Sequence, residues 1–199
     1  MAELQNVEQY LEELMAEYPV CEYAFGDPKD IPFSKEVLHI CITDCPRYGH
    51  SWSCPPSAGD IQENMALVSS YSRFLVFSTV HEVADAWNFN ACLAVRKEHE
   101  RMTRDFRKKL LEHYHLPLTE LHPASEAAEA REPAPFYVLS AGCSLCDDCT
   151  YPDAPCRNPK ERLQSMESHG ILILKLVDDL NLTFQYDSTT VVYFSMILF

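Results

Sequence analysis

The stretch Ser72–Glu82, SRFLVFSTVHE, decides the class of fold. Its Val, Phe and Leu content and its length mark a buried β-strand. The residues that follow change period. Cys92, Val95, His99, Met102, Phe106 and Leu110 recur at spacings of three and four, which puts them on one face of a long helix over Phe89–His113. On the other side of the strand, Asp60 is an N-cap for a helix running to about Ser70. Strand and helix therefore alternate along one chain. Further out, FYVLSAG (136–142) is a strand that leads into a group of cysteines, and SMESHG (165–170) is a helical turn closed by Gly170. ILILKLV (171–177) and TTVVYFSMILF (189–199) are the last two strands, joined through DDLNL. Toward the N-terminus, Val7–Tyr18 forms a helix with Tyr10, Leu11, Leu14 and Met15 on one face. A Pro- and Asp-rich loop follows, and KEVLHICI (35–42) is a short strand entering the first cysteine. HPASEAAEAREPAP (122–135) is a short surface helix or a linker. No internal repeat is present. The layout predicts a single α+β (or α/β) domain over residues 1–199, a mixed sheet with flanking helices and two cysteine-rich loops, 41–59 and 142–159.

Composition sets the outer limits. The chain has 199 residues, 47% of them hydrophobic, enough for a core of its own. Its longest apolar runs fall short of the roughly 20 residues that span a bilayer. The acidic, amphipathic N-terminus lacks the features of a signal peptide. A soluble, cytoplasmic protein without a membrane partner is expected. The net charge of −14 argues against nucleic-acid binding, which needs a basic surface. It suits a carrier that meets a basic partner. From Arg96 to Lys109 the balance reverses, with seven basic residues against three acidic ones. That run is either a solvated helix face or a dock for an anionic ligand or an acidic redox partner.

Nine cysteines is a high and odd count. In a chain without a secretion signal, clustered cysteines point to metal rather than disulfides. Cys143-Ser-Leu-Cys146-Asp-Asp-Cys149, followed by Cys156-Arg-Asn-Pro159, is the strongest pattern. Cysteines at i, i+3 and i+6 let a short looping backbone aim three thiolates at one centre. The triplet resembles the bacterial ferredoxin arrangement, although its fourth cysteine comes seven positions on and its proline later still. Structural zinc sites more often use two cysteine pairs on separate knuckles. The spacing therefore favours a [4Fe–4S] cluster over zinc. The second pattern is Cys41-Ile-Thr-Asp-Cys45-Pro-Arg-Tyr48-Gly-His50-Ser-Trp52-Ser-Cys54-Pro55-Pro56. Here three cysteines share one proline-broken loop with two aromatics and a histidine. Such cysteines are either a second ligand set or buried small hydrophobes. Their gaps do not match the radical S-adenosylmethionine triad.

Together these residues resemble a prokaryotic family of predicted metal-binding proteins, a domain of unknown function. The first motif is carried by Cys41, Cys45, Tyr48, Gly49, Trp52, Cys54, Pro55 and Pro56. The second is carried by Cys143, Cys146, Cys149, Cys156, Arg157, Pro159, Ser165, Met166, Glu167 and Gly170. The resemblance implies metal binding, with iron–sulfur the expected form, and implies no reaction.

A cube takes four ligands and the motifs offer seven. Either Cys143, Cys146, Cys149 and Cys156 close one cluster and Cys41, Cys45 and Cys54 hold a second, or Cys156 crosses to the N-terminal triplet. One cube is left with an open iron in both cases. Cys21, Cys92, His50 and His169 are the candidates to complete it, although Cys92 and Cys21 also suit simple packing. Glu167 and His169 are candidates for a supporting role beside a cluster, or a surface pair at a helix end. Trp52 and Tyr48 can shield a cluster or pack the loop, and Pro55-Pro56 fixes the backbone after Cys54. Three functions fit: electron transfer to a redox partner protein, an enzyme whose open iron acts on a small molecule, and a structural zinc module.

Overall fold

A computed structural model describes residues 6–121 and 133–199. Most of the Ala/Glu-rich segment 122–135 lies outside the described residues. The strand expected at Ser72–Glu82 is β2, Phe74–Glu82, and it anchors a five-stranded mixed sheet. The other strands are β1 (Tyr23–Gly26), β3 (Tyr137–Ser140), β4 (Gln164–Ser165) and β5 (Thr190–Leu198), in the spatial order β1-β2-β5-β3-β4. All neighbours are antiparallel except β3 and β4. The long pairing runs from Phe74 opposite Leu198 to Glu82 opposite Thr190. Phe74, Leu75, Val76 and Phe77 are all buried, as expected of a strand covered on both faces. The class is α+β, with the open mixed sheet and flanking helices that the sequence implies.

The long helix α4 runs from Phe89 to His113, as its periodicity predicts, and the Asn88 side chain accepts from the Ala91 N–H at its start. His99, Met102, Phe106 and Leu110 are buried; Cys92 and Val95, at the outer end of the same stripe, are half-buried. The helix packs on β3 and β5 and against α1 (Val7–Met15). α1 stops three residues before the expected Tyr18, and it buries Val7, Leu11, Leu14 and Met15, with Tyr10 half-buried beside His113. Between α4 and the sheet lies a polar seam. His99 is hydrogen-bonded through Nδ1 to Thr79 (2.7 Å) and through Nε2 to Ser195 (2.8 Å), and Ser195 also meets Thr103 and Ser140. Every member is buried, so each needs these partners.

Two expected strands are helices. KEVLHICI lies in α2 (Lys35–Asp44), whose N-cap Ser34 accepts from the Glu36 N–H at 3.1 Å. Only Val37 of this helix is buried, and Ile40 and Ile42 are 57% and 49% exposed. The β-branched residues that suggested a strand have no neighbouring strand to pair with, so local capping decides. ILILKLV likewise becomes α5 (Ile173–Asp179), with Leu176 and Val177 buried and Lys175 paired to Asp179 one turn on. Its strand character survives only as an isolated bridge between Ile171 and Phe33. The helix α3 (Ile61–Ser69) is capped by Asp60, which accepts from the N–H groups of Gln62 and Glu63. SMESHG forms a 3₁₀ turn, Glu167–His169, closed by Gly170 at φ +74°. A side chain at 170 would also meet the Ile61 Cδ1 atom at 2.6 Å.

Candidate metal centre

The second cysteine loop leaves the sheet at Ser140, the last residue of β3. Gly142 makes the turn at φ +127°, a conformation that a side chain resists. From there to β4 the backbone has no helix or strand, so side chains must hold it, and α4 supplies many of them. Arg96 donates to Ser144 Oγ (2.9 Å), next to Cys143. Lys97 pairs with Asp147 at 3.3 Å. Three turns along the helix, Arg107 donates to the Lys160 carbonyl and the Thr119 carbonyl, each at 2.7 Å. The basic run of α4 is therefore not simply a solvated face. Arg96 and Arg107 are 8% and 2% exposed, and they grip the two ends of the protein's own cysteine loop.

Within that loop, Cys143, Cys146, Cys149 and Cys156 all line one hollow of about 330 Å³. Two N–H donors aim at its sulfurs. The Trp52 backbone N–H lies 3.4 Å from Cys149 Sγ, and Asn158 Nδ2 lies 3.5 Å from Cys146 Sγ. Thr150 and Arg157 tie the loop to itself through the carbonyls of Pro155 and Asp148.

The first cysteine loop forms the opposite wall. Arg47 donates to the Cys143 carbonyl at 2.9 Å. Trp52 donates through Nε1 to the Ala154 carbonyl at 3.0 Å, packs edge-on to Tyr151, and lies under the Arg162 guanidinium. The buried Ser53 hydroxyl bonds the Leu163 carbonyl. The aromatic residue of the first motif thus closes the hollow of the second. His50, exposed, and Arg47 also line it.

Cys41, Cys45 and Cys54 do not line that hollow. Cys41 lies in the last turn of α2, Cys45 is the residue that ends it, and Cys54 is in the irregular loop beyond. Burial pushes the Cys41 thiol up to about 11, with Cys45, Glu167 and Cys54 adding to the rise. These four groups therefore share one neighbourhood. Burial also raises Cys54, where Arg47 opposes it, and Cys143. Such thiols hold their protons until a metal displaces them. Burial raises the Glu167 carboxyl too, partly offset by a hydrogen bond from Ser165 and the charge of Arg96. Among the described residues, no three His, Cys, Asp or Glu side chains converge closely enough to hold a single metal ion.

The other candidates separate clearly. His169 is fully buried; its Nε2 meets the Tyr137 hydroxyl at 2.7 Å and its Nδ1 the Ser165 carbonyl at 3.1 Å. Both nitrogens serve the core, and burial lowers its pKa to about 4. The alternative of a surface His at a helix end does not hold. Cys92 is half-buried and bonds the Ala86 carbonyl, while Cys21 is exposed beside the Tyr186 hydroxyl at 3.4 Å and is not a packing residue. Tyr48 is half-buried in the first loop. Sequence reasoning did not single out Arg47, Ser144, Asn158 or the inward role of Arg96 and Arg107. The spacing of Arg96, Glu100, Thr103 and Arg107, a second stripe at helical period, is the signal that could have found the last two.

A family model described as "Predicted metal-binding protein (DUF2284)" matches residues 26–199. The chain belongs to that family. In this predicted metal-binding protein the matched span takes in both cysteine loops, the whole sheet beyond β1's first residues and the α4 mount, and leaves out α1. No curated protein and no solved structure matches the chain. No helix among the described residues is long and apolar enough to cross a membrane.

Proposed function

We propose that this is an iron–sulfur protein of the cytoplasm that holds a [4Fe–4S] cluster on Cys143, Cys146, Cys149 and Cys156 and passes single electrons to a redox partner protein. The observation that carries the reading is the hollow that all four cysteines line. A cube needs thiolates arranged around a space, one to each iron, and four cysteines lining a common hollow support that arrangement. The N–H donors from Trp52 and Asn158 add to the fit, because hydrogen bonds to cluster sulfurs are a main control of potential. The cluster would supply a one-electron couple. The chain's own residues orient the ligands, keep water from one side with Trp52 and Tyr151, and leave the exposed rim at Asp147 and Asp148 for a basic partner. Cys156 faces the same hollow as the triplet, which favours the division without a crossing ligand.

A second reading has its own observation. Cys41, Cys45 and Cys54 gather with a carboxyl, Glu167, that burial biases toward its protonated form. A second cluster there would have three cysteine ligands and a proton donor at hand, the make-up of an enzyme with an open iron acting on a small molecule.

The test is anaerobic purification followed by iron, acid-labile sulfide and zinc analysis, with a visible spectrum. About eight irons and eight sulfides per chain support both sites, and about four support the C-terminal one alone. Zinc without iron, from cells supplied with iron, would reject the redox reading and leave a structural zinc module.

A further inference from the structure

Arg96, Glu100 and Arg104 follow one another at one-turn intervals on α4, directly behind the second cysteine loop. Glu100 is fully buried and Arg96 is 8% exposed. Arg96 Nε lies 3.0 Å from Glu100 Oε1, and Arg104 Nη1 lies 3.7 Å from Glu100 Oε2. Two guanidiniums around one carboxylate leave a surplus positive charge. Taking such a group out of water costs more than the mutual attraction returns, unless further partners complete it. The completion is poor. Among the described residues Arg96 Nε, Arg104 Nη1 and Glu100 Oε2 are buried and make no hydrogen bond of good geometry.

What stands against this surplus charge is the metal loop. Ser144 bridges Arg96 (2.9 Å) and Glu100 (3.3 Å). A Cβ on Gly142 would be 3.8 Å from both Arg96 Nη1 and Glu100 Oε1, so the backbone of the loop lies against the triad. Cys143, between those two residues, feels the opposing fields of Glu100 and Arg104. Any metal centre held by four thiolates is an anion, and it becomes more so on reduction. In a chain of net charge −14, a positive group buried against this loop sets its field where solvent-exposed lysines could not.

We infer that the Arg96–Glu100–Arg104 triad is a built-in counter-charge for the metal centre at Cys143, Cys146, Cys149 and Cys156, strengthening metal binding and easing reduction. This rests on the proposed reading of those cysteines. The three are positioning residues, since they act through the field and through Ser144 and do not touch the metal. A purely mechanical clamp would make a different prediction, because loosening it from either end would act in the same direction.

The test uses E100Q and R104Q, which change charge at nearly constant shape. In the iron-loaded protein, an EPR-monitored titration should find E100Q easier to reduce and R104Q harder, each by about tenfold in the equilibrium constant, about 59 mV for a one-electron couple. R104K should return close to the wild-type value. In the metal-free protein, chelator competition for zinc should find R104Q weaker and E100Q tighter than wild type. Shifts of the same sign, or no shift in protein of full metal content, would overturn the inference. If R104Q does not fold, the sign of the E100Q shift decides alone. If the wild type takes up zinc and no iron, the proposed function fails, and the zinc competition still judges the triad.

Discussion

The backbone N–H of Trp52 points at the sulfur of Cys149 from 3.4 Å, across 97 residues of sequence. This contact joins the two cysteine loops into one structure. The first loop wedges its tryptophan over the hollow of the second, and Arg47 fastens it to the Cys143 carbonyl. Neither loop has regular secondary structure beyond the end of α2, so the first is held largely by the second, and the second by the first and by α4.

Cys146→Ala removes one of four groups around the hollow. It should lose the metal of that site and lower the thermal midpoint, because bound metal contributes to folding free energy. Metal analysis with a melting curve checks both. A folded variant with unchanged metal content would sink the assignment of Cys146.

Asn158→Ala deletes the side-chain N–H that approaches Cys146 Sγ at 3.5 Å. A donor to a thiolate stabilises the more negative, reduced state. The variant should therefore keep its metal and become harder to reduce, read as a lower midpoint potential. A potential equal to that of wild type would mean that the amide orients the loop only.

Arg107→Met cuts the clamp between α4 and the far end of the loop. Two carbonyls, of Lys160 and Thr119, lose charged donors at 2.7 Å. The expected loss is about 3–5 kcal/mol, measured as a shift of the urea midpoint at constant slope. Metal retention in dilute chelator should fall as well, since the loop end is freed.

These clamps mark where sequence reasoning stops. β2 and α4 were legible to within two residues, because long apolar patterns at period two or 3.6 are decided by burial alone. The cysteine motifs were legible as chemistry, since thiols at such spacings have few other uses. α2 and α5 were not. Their β-branched residues favour strands in isolation, but neither segment pairs into the sheet beyond the Ile171–Phe33 bridge, so Ser34 capping and the Lys175–Asp179 pair won locally. Arg96 and Arg107 were hidden for another reason. A single buried arginine looks in sequence like an exposed one; only its place in the Arg96–Glu100–Thr103–Arg107 stripe marks it, and the loop folded against α4 shows what that stripe covers.

Acid should destabilise the protein above the carboxylate range. Burial lowers His99 to about 3 and His169 to about 4. In the unfolded chain both titrate near 6.5. The unfolded state thus binds more protons below about pH 6.5, and stability is lost as pH falls from there toward the folded values. Each contributes about 2 kcal/mol of loss between pH 7 and pH 5. Urea midpoints at the two values should show the drop, and H99N should reduce the pH slope by roughly half. A wild-type midpoint that holds steady to pH 5 would contradict the buried, neutral state of these rings.

The central place of β5 has a consequence for how the protein folds. This strand comes after both cysteine loops in the chain, yet it lies between β2 and β3, and the second loop leaves the sheet from β3. Until residues 190–198 are in place, β2 and β3 have no common neighbour in the sheet. Closing the sheet behind the second loop is therefore a long-range step, slower than the pairing of neighbouring strands.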